Sequence, residues 1–116
     1  MAYRAPTAGL IAAPALHAQR ETRMAYYVVG YDLHNQRTYA PIWEYLKGLR
    51  AVRLLESLWL VQSSYDVAQI RDDLSALGEA NDSFAVVEVK PLSHWSTRRG
   101  KTEGTNWLTH HIQSYR

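Results

Sequence analysis

Residues 26–33 read YYVVGYDL, an aromatic and β-branched run whose single charge, Asp32, comes next to last. Such a run is typical of a strand in a protein core. Because an unpaired charge is costly to bury, Asp32 should emerge where the strand ends. A carboxylate at the end of a core strand is a candidate for a metal ligand, and the alternative is a residue that only terminates the strand.

The sequence after this strand predicts two helices and three further strands. Apolar residues at positions 39, 42, 43, 46 and 49 have helical spacing, with Thr38 as a plausible cap and Pro41 in the first turn. Residues 52–55 and 58–63 predict a hairpin. Asp66 and Gln69 form a capping box for a second helix that ends at Gly78, and residues 84–89 predict the last strand.

The resulting order is strand, helix, strand, strand, helix, strand. This is the order of the ferredoxin-like βαββαβ sandwich, an α+β fold with two helices on one face of a four-stranded antiparallel sheet. Apolar residues occupy both sides of the strands, and a domain of this size lacks a third layer to cover the second side. We therefore expect a homodimer that packs sheet against sheet.

The chain divides into three segments. Residues 1–23 carry three arginines and one glutamate, and Met24 directly precedes the first strand. We expect this segment to be an upstream extension, disordered or absent from the native protein; the alternative is a targeting segment. Residues 24–90 form the ferredoxin-like domain. Residues 91–116 form a tail that we expect to supply an extra strand and a short helix to the partner subunit, or else to pack on its own core. Its apolar anchors are Trp95, Trp107, Leu108 and Ile112.

Charge and cysteine content limit the function classes. The net charge is +2, and the arginines and the glutamate of residues 1–23 account for all of it, so the rest of the chain is neutral. Nucleic-acid binding would therefore depend on a local patch, such as Arg98, Arg99 and Lys101, or Lys47, Arg50 and Arg53. The alternative is that both patches are ordinary solvated loops and helix ends. The absence of cysteine excludes disulfides and thiolate metal sites. It is compatible with a reducing compartment, and we expect a cytoplasmic protein without a membrane segment.

Three short motifs carry a resemblance to a known family. These are the YDL that ends the first strand, Arg37 at the start of the next helix, and Ser57-Leu58-Trp59 at the third strand. They resemble the small CRISPR-associated nuclease that is the second of the two universal adaptation proteins, and its relatives, the virulence-associated protein D toxins. The resemblance covers residues 24–89. The sequence departs from the family in lacking its glutamine two residues before the serine, where Leu55 stands, and its Phe-Glu pair, replaced by Trp59 and Leu60.

The resemblance implies a metal-dependent endonuclease that acts on RNA or DNA as a homodimer. In such families the aspartate that ends the first strand, here Asp32, lies near the dimer axis, where two copies hold Mg²⁺ or Mn²⁺. Hard oxygen ligands suit these cations, which activate water and neutralise phosphate charge. Arg37 and Ser57 are candidate phosphate contacts, and His34, in an acid-x-His pair with Asp32, is a candidate base.

Two other functions stay open. The first is a dimeric nucleic-acid scaffold that binds without cutting. The second is a small-molecule-binding regulatory domain, which the neutral composition of residues 24–116 allows. Tyr26, Tyr27, Tyr31 and Trp59 could stack on bases, but the signature of RNA-recognition modules is absent, and we expect these side chains to be buried, at the dimer face.

Overall fold

The computed structural model describes residues 24–113. Within this part of the chain, four strands form one sheet: β1 (Ala25–Asp32), β2 (Val52–Leu55), β3 (Leu58–Ser63) and β4 (Ser83–Val89). A 3₁₀ turn (Gln36–Thr38) leads into the first of three helices: α1 (Tyr39–Gly48), α2 (Val67–Leu77) and α3 (Thr102–His111).

The sheet has the order β2-β3-β1-β4, and every neighbouring pair is antiparallel. With α1 and α2 on one face, this is the ferredoxin-like α+β sandwich that the sequence predicts. The predicted strands agree with the observed ones to within one residue at each end. The topology has a direct consequence for function, because the end of β1 lies between the start of β3 and the start of β4.

The main core lies between α1, α2 and the face of the sheet that we call the first face. Alternate residues of β1 point to this face, as the period of a strand requires. They meet apolar side chains that recur with helical spacing in α1 and α2. The fully enclosed members of this core are Val29, Ile42, Leu46, Val61, Ile70 and Leu74.

The helix caps confirm one prediction and correct another. Asp66 accepts a hydrogen bond from the Gln69 backbone N–H at 2.8 Å, as a capping residue should. Thr38 occupies the N-cap position of α1, as predicted, but its side chain does not cap the helix: the hydroxyl is buried and has no hydrogen-bond partner among the described residues. Asn35 caps the preceding 3₁₀ turn instead, since its side-chain oxygen accepts a hydrogen bond from the Arg37 N–H at 3.1 Å.

The tail packs on the core of its own chain, which is the second of the two placements that the sequence left open. Residues 90–101 contain no strand, and α3 packs on the second face of its own sheet, mainly against β2. The approach is close, because a Cβ atom on Gly104 would lie 2.6 Å from the Leu54 Cα. The apolar side chains of α3 and of the residue that follows it form a second core with the sheet; its buried members are Leu54, Leu60, Trp107, Leu108 and Ile112.

Part of the second face is left uncovered by α3. This outer strip consists of Gly30 and Asp32 of β1 with Ser83, Ala85 and Val87 of β4; Ala85 pairs with Gly30 and Ser83 with Asp32. The Val87 side chain is a large apolar group on the surface, with 56% exposure. Any sheet-to-sheet contact with a second copy must therefore use the outer strip.

Predictions for residues 1–23 lie outside the described residues. Between residues 24 and 113, no helix combines the length and the apolar character needed to cross a membrane.

Candidate functional site

Asp32 lies at the end of β1 and on the second face of the sheet. Tyr27, Val29 and Tyr31 are buried on the first face, so the alternation of the strand turns Asp32 the other way. Its side chain is exposed, and within residues 24–113 it forms neither a hydrogen bond nor an ion pair. Ser83, the first residue of β4, lies opposite it. Asp32 is thus an available carboxylate at one end of the sheet.

The turn between β2 and β3 lies at the same end, because β3 runs antiparallel to β1. Leu58 pairs with Gly30, and the Ser57 carbonyl accepts a hydrogen bond from the Tyr31 N–H at 3.3 Å. This hydrogen bond puts Ser57 beside the residue that precedes Asp32. The structure therefore brings these two predicted site residues to the same edge of the sheet.

The loop that leads into α3 joins this end of the sheet through Lys101. The Lys101 backbone N–H donates to the Leu54 carbonyl at 2.8 Å, and its Nζ lies 3.2 Å from Oε2 of Glu56. Glu56, in the β2–β3 turn, also has its Oε1 at 3.9 Å from Nη1 of Arg53. One carboxylate thus faces two cations.

Arg98 and Arg99 precede Lys101 in this loop. Both side chains are exposed, and neither forms an ion pair with another described residue. Arg99 has a φ of 61°, a left-handed conformation that is uncommon for a residue with a side chain. Within the described part of the chain, the charges of these two arginines are therefore not neutralised.

His34 is engaged by Asp82, from the loop before β4, and not by Asp32. Its backbone N–H donates to Asp82 Oδ1 at 2.9 Å, and its ring Nδ1 lies 3.5 Å from the same oxygen. The other oxygen, Oδ2, accepts the Glu79 N–H at 2.7 Å. The Asp82 side chain is fully enclosed, whereas that of His34 is 53% exposed.

Hydrogen bonds explain the charge state of Asp82. The pKa of this carboxyl is lowered, first by the hydrogen bond from the Glu79 backbone and then by the contacts with His34, which together outweigh the opposing effect of burial. Asp82 is therefore ionised, and it ties the loop after β1 to the loop before β4.

Arg37 lies near this contact between the two loops, beside Glu79. Its Nε lies 3.3 Å from Oε2 of Glu79, in an exposed pair with the Arg37 side chain 77% accessible. Such a pair is weak, so Arg37 stays available to another anion.

The aromatic residues of the sheet pack inside the protein and do not form a stacking surface. Tyr27, Tyr31 and Trp59 are buried on the first face, beneath α1 and α2, and not at a dimer face as the sequence led us to expect. The Tyr31 hydroxyl accepts hydrogen bonds from Nε1 of Trp43 at 2.9 Å and from Nε1 of Trp59 at 3.0 Å. The Arg53 guanidinium lies over both indole rings, 4.3 Å and 4.7 Å from their centroids.

The structure groups the predicted residues in two clusters at one end of the sheet. In the first, Ser57 lies beside the end of β1, where Asp32 stands, and the loop of Arg98, Arg99 and Lys101 joins the end of β2 through Lys101. In the second, His34 pairs with Asp82 and Arg37 with Glu79. Three acidic partners were missed by the sequence interpretation: Glu56, Glu79 and Asp82. The predicted topology could have indicated that Asp82 lies near His34, because β4 begins beside the end of β1 in this fold.

One chain supplies few ligands for a metal ion. Within residues 24–113 no group of three histidine or acidic side chains is placed to hold one. Asp32 is the available carboxylate of the predicted set, and one such ligand fits Mg²⁺ only if a second chain or a substrate phosphate completes the shell.

No known protein family fits this chain, and no solved structure is significantly similar to it.

Proposed function

We propose that the protein is a nucleic-acid-binding homodimer that cleaves phosphodiester bonds of RNA or DNA with Mg²⁺ or Mn²⁺, as the family that it resembles does. The observation that carries the proposal is that charged side chains of both signs lie at the same end of the sheet. Counting only contacts among residues 24–113, the exposed carboxylate of Asp32 has no partner, and it lies at the same end as two arginines without partners, Arg98 and Arg99. A metal ligand and a phosphate-binding loop are two components that metal-dependent phosphodiester cleavage uses.

The dimer supplies the second carboxylate. The outer strip is apolar at Ala85 and Val87, and it ends at Asp32. A two-fold contact between two outer strips would place both copies of Asp32 in one interface. Two carboxylates, with water or phosphate oxygens, are a suitable set for Mg²⁺, which when bound would activate water and neutralise phosphate charge.

The other site residues have roles that follow from their contacts. Arg98, Arg99 and Lys101 bind and orient phosphate, and Arg37 and Ser57 contact the strand nearby. Asp82 faces Nδ1 of His34, which leaves Nε2 of this half-exposed ring to take a proton from water or from the attacking hydroxyl.

The first experiment removes the proposed ligand. Wild type, Asp32→Ala and Asp72→Ala are compared on labelled single-stranded RNA and duplex DNA with Mg²⁺, with Mn²⁺ and with chelator. Asp72 is the matched control, since it is an exposed aspartate on α2 paired with its neighbour Arg71. We expect metal-dependent cleavage that falls at least about 100-fold in Asp32→Ala and is retained in Asp72→Ala, both with wild-type circular dichroism. Cleavage that survives Asp32→Ala contradicts the proposal.

A second experiment tests the interface. Val87→Lys places a charge in the outer strip, and Leu77→Lys, at the end of α2, is its control because this leucine is also exposed, at 38%. With Mg²⁺ and oligonucleotide present, wild type should be a dimer by light scattering, and Val87→Lys should be a monomer without cleavage activity. Leu77→Lys should change neither property.

The second candidate function is a nucleic-acid scaffold without catalytic activity. The absence of a three-ligand group within residues 24–113 favours it. In that case wild type and Asp32→Ala bind nucleic acid equally and neither cleaves, and the double variant Arg98→Ala/Arg99→Ala lowers the salt slope of binding by about two. Failure of the wild type to bind at moderate salt would favour a small-molecule-binding regulatory domain instead.

A further inference from the structure

Two cations at the β2–β3 turn are held in place by the fold. The Lys101 backbone is tied to the Leu54 carbonyl at 2.8 Å, which fixes the base of its side chain. The Arg53 guanidinium lies over Trp43 and Trp59, and its side chain is only 20% exposed. Cations fixed in this way lose little freedom when they bind an anion, so they form a preorganised anion site.

That site is occupied by a group of the protein itself. Glu56 reaches Lys101 with one carboxylate oxygen, at 3.2 Å, and Arg53 with the other, at 3.9 Å. The Glu56 side chain is 82% exposed, and ion pairs that open to water are weak. A phosphodiester presents two anionic oxygens in a comparable arrangement, so it can take the place of the carboxylate.

We infer that Glu56 is an internal competitor for phosphate. In the free protein the Glu56 carboxylate pairs with Lys101 and Arg53. When a nucleic acid binds, its phosphate backbone displaces this carboxylate. The inference rests on the proposed nucleic-acid binding and adds the path of the strand, which crosses the β2–β3 turn. No carboxylate of residues 24–113 pairs with Arg98 or Arg99, so these arginines make the first contact. Lys101 follows once the Glu56 side chain has moved into water.

The test compares Glu56→Gln with Glu88→Gln. Glu88 is the matched control, because it pairs with Lys90 at 2.9 Å but lies at the opposite end of the sheet, where β4 ends beside the start of β1. Both variants lose one negative charge. Glu56→Gln loses the ion pairs with Lys101 and Arg53, and Glu88→Gln loses the pair with Lys90. Binding to a fluorescein-labelled single-stranded oligonucleotide is measured by anisotropy over a series of NaCl concentrations.

Glu56→Gln should bind about three- to fivefold more tightly than wild type, the range expected when a weak competing ion pair is removed. Its salt dependence should steepen by about one, since one more phosphate contact releases counterions. Glu88→Gln should stay within about twofold of wild type. Adding Lys101→Ala to Glu56→Gln should remove the gain.

The outcomes separate this inference from the proposed function. A wild type that binds no oligonucleotide at low salt overturns both. A wild type that binds, with Glu56→Gln no tighter than Glu88→Gln, overturns the competitor and leaves the binding in place. If the gain in affinity of Glu56→Gln persists when Lys101→Ala is added, the competitor role of Glu56 is also overturned. Glu56→Ala, a second variant checked for a wild-type melting curve, should reproduce the gain if the carboxylate is what matters.

Discussion

The packing of α3 on its own sheet is tested most directly at two helical glycines, Gly104 in α3 and Gly48 in α1. Neither has a positive φ, so alanine fits the backbone at both. They differ in their surroundings. A Cβ atom at Gly104 would lie 2.6 Å from the Leu54 Cα and 2.7 Å from the Arg53 carbonyl oxygen, whereas one at Gly48 would meet nothing within 4 Å.

The magnitude follows from these distances. A Cβ–Cα separation of 2.6 Å must open by about 1 Å to become an ordinary contact, and both obstructing groups are backbone, so α3 has to move. Overpacking of this kind costs up to about 3 kcal/mol. Alanine regains about 1 kcal/mol in helix propensity, which leaves Gly104→Ala about 2 kcal/mol less stable than wild type. Gly48→Ala has the gain in helix propensity without the steric cost.

Urea denaturation measures both variants. Gly104→Ala should lower the free energy of unfolding by about 2 kcal/mol, and Tm by roughly 8–16 °C, while Gly48→Ala should raise the free energy by up to about 1 kcal/mol. The two glycine-to-alanine changes share their effect on the unfolded chain, so their difference reports the contact between α3 and β2. A Gly104→Ala protein as stable as Gly48→Ala would refute the placement of α3 on β2.

Two further predictions concern buried polar groups. Tyr31→Phe leaves the buried Trp59 Nε1 without its acceptor and should cost about 1–3 kcal/mol in urea denaturation, whereas Tyr39→Phe should cost little; equal losses would contradict the network. Asp82→Asn should destabilise the protein at pH 7. Because the folded pKa of Asp82 lies below its unfolded value of about 3.9, its contribution is present above that pH and fades as pH falls through the folded pKa, so the two proteins should converge in acid. A difference that is constant with pH would contradict the ionised state.

The sequence predicts the sheet well because strand period and turn residues are local properties. The alternation in β1 correctly sends Asp32 out at the end of the strand, and Asp66 caps α2 as its position beside Gln69 indicates. The tail shows what such local patterns cannot predict. The spacing of Trp107, Leu108 and Ile112 predicts an apolar helix face, but the pattern is the same whether that face is buried on its own sheet or on that of a partner.

The sequence could not predict contacts between side chains that are distant along the chain, and the reason is different. His34 and Asp82 are 48 residues apart, and their contact depends on the adjacency of β1 and β4 and on the turn geometry around Glu79. Thr38 shows the same limit locally. A threonine before an apolar run has the chemistry of a cap, yet here the chain enters α1 through a 3₁₀ turn that Asn35 caps instead.

The position of α3 also changes how the proposed dimer would work. With much of the second face covered, the outer strip offers Val87 as its large exposed apolar side chain, and completing the burial of one half-exposed valine contributes about 1 kcal/mol. Two copies contribute about 2 kcal/mol, less than the 4 kcal/mol or more that association costs. Apolar contact alone therefore does not hold the dimer, so the rest must come from a shared metal ion or a shared nucleic-acid strand. Cleavage per chain should consequently fall on dilution and recover when metal or oligonucleotide is raised.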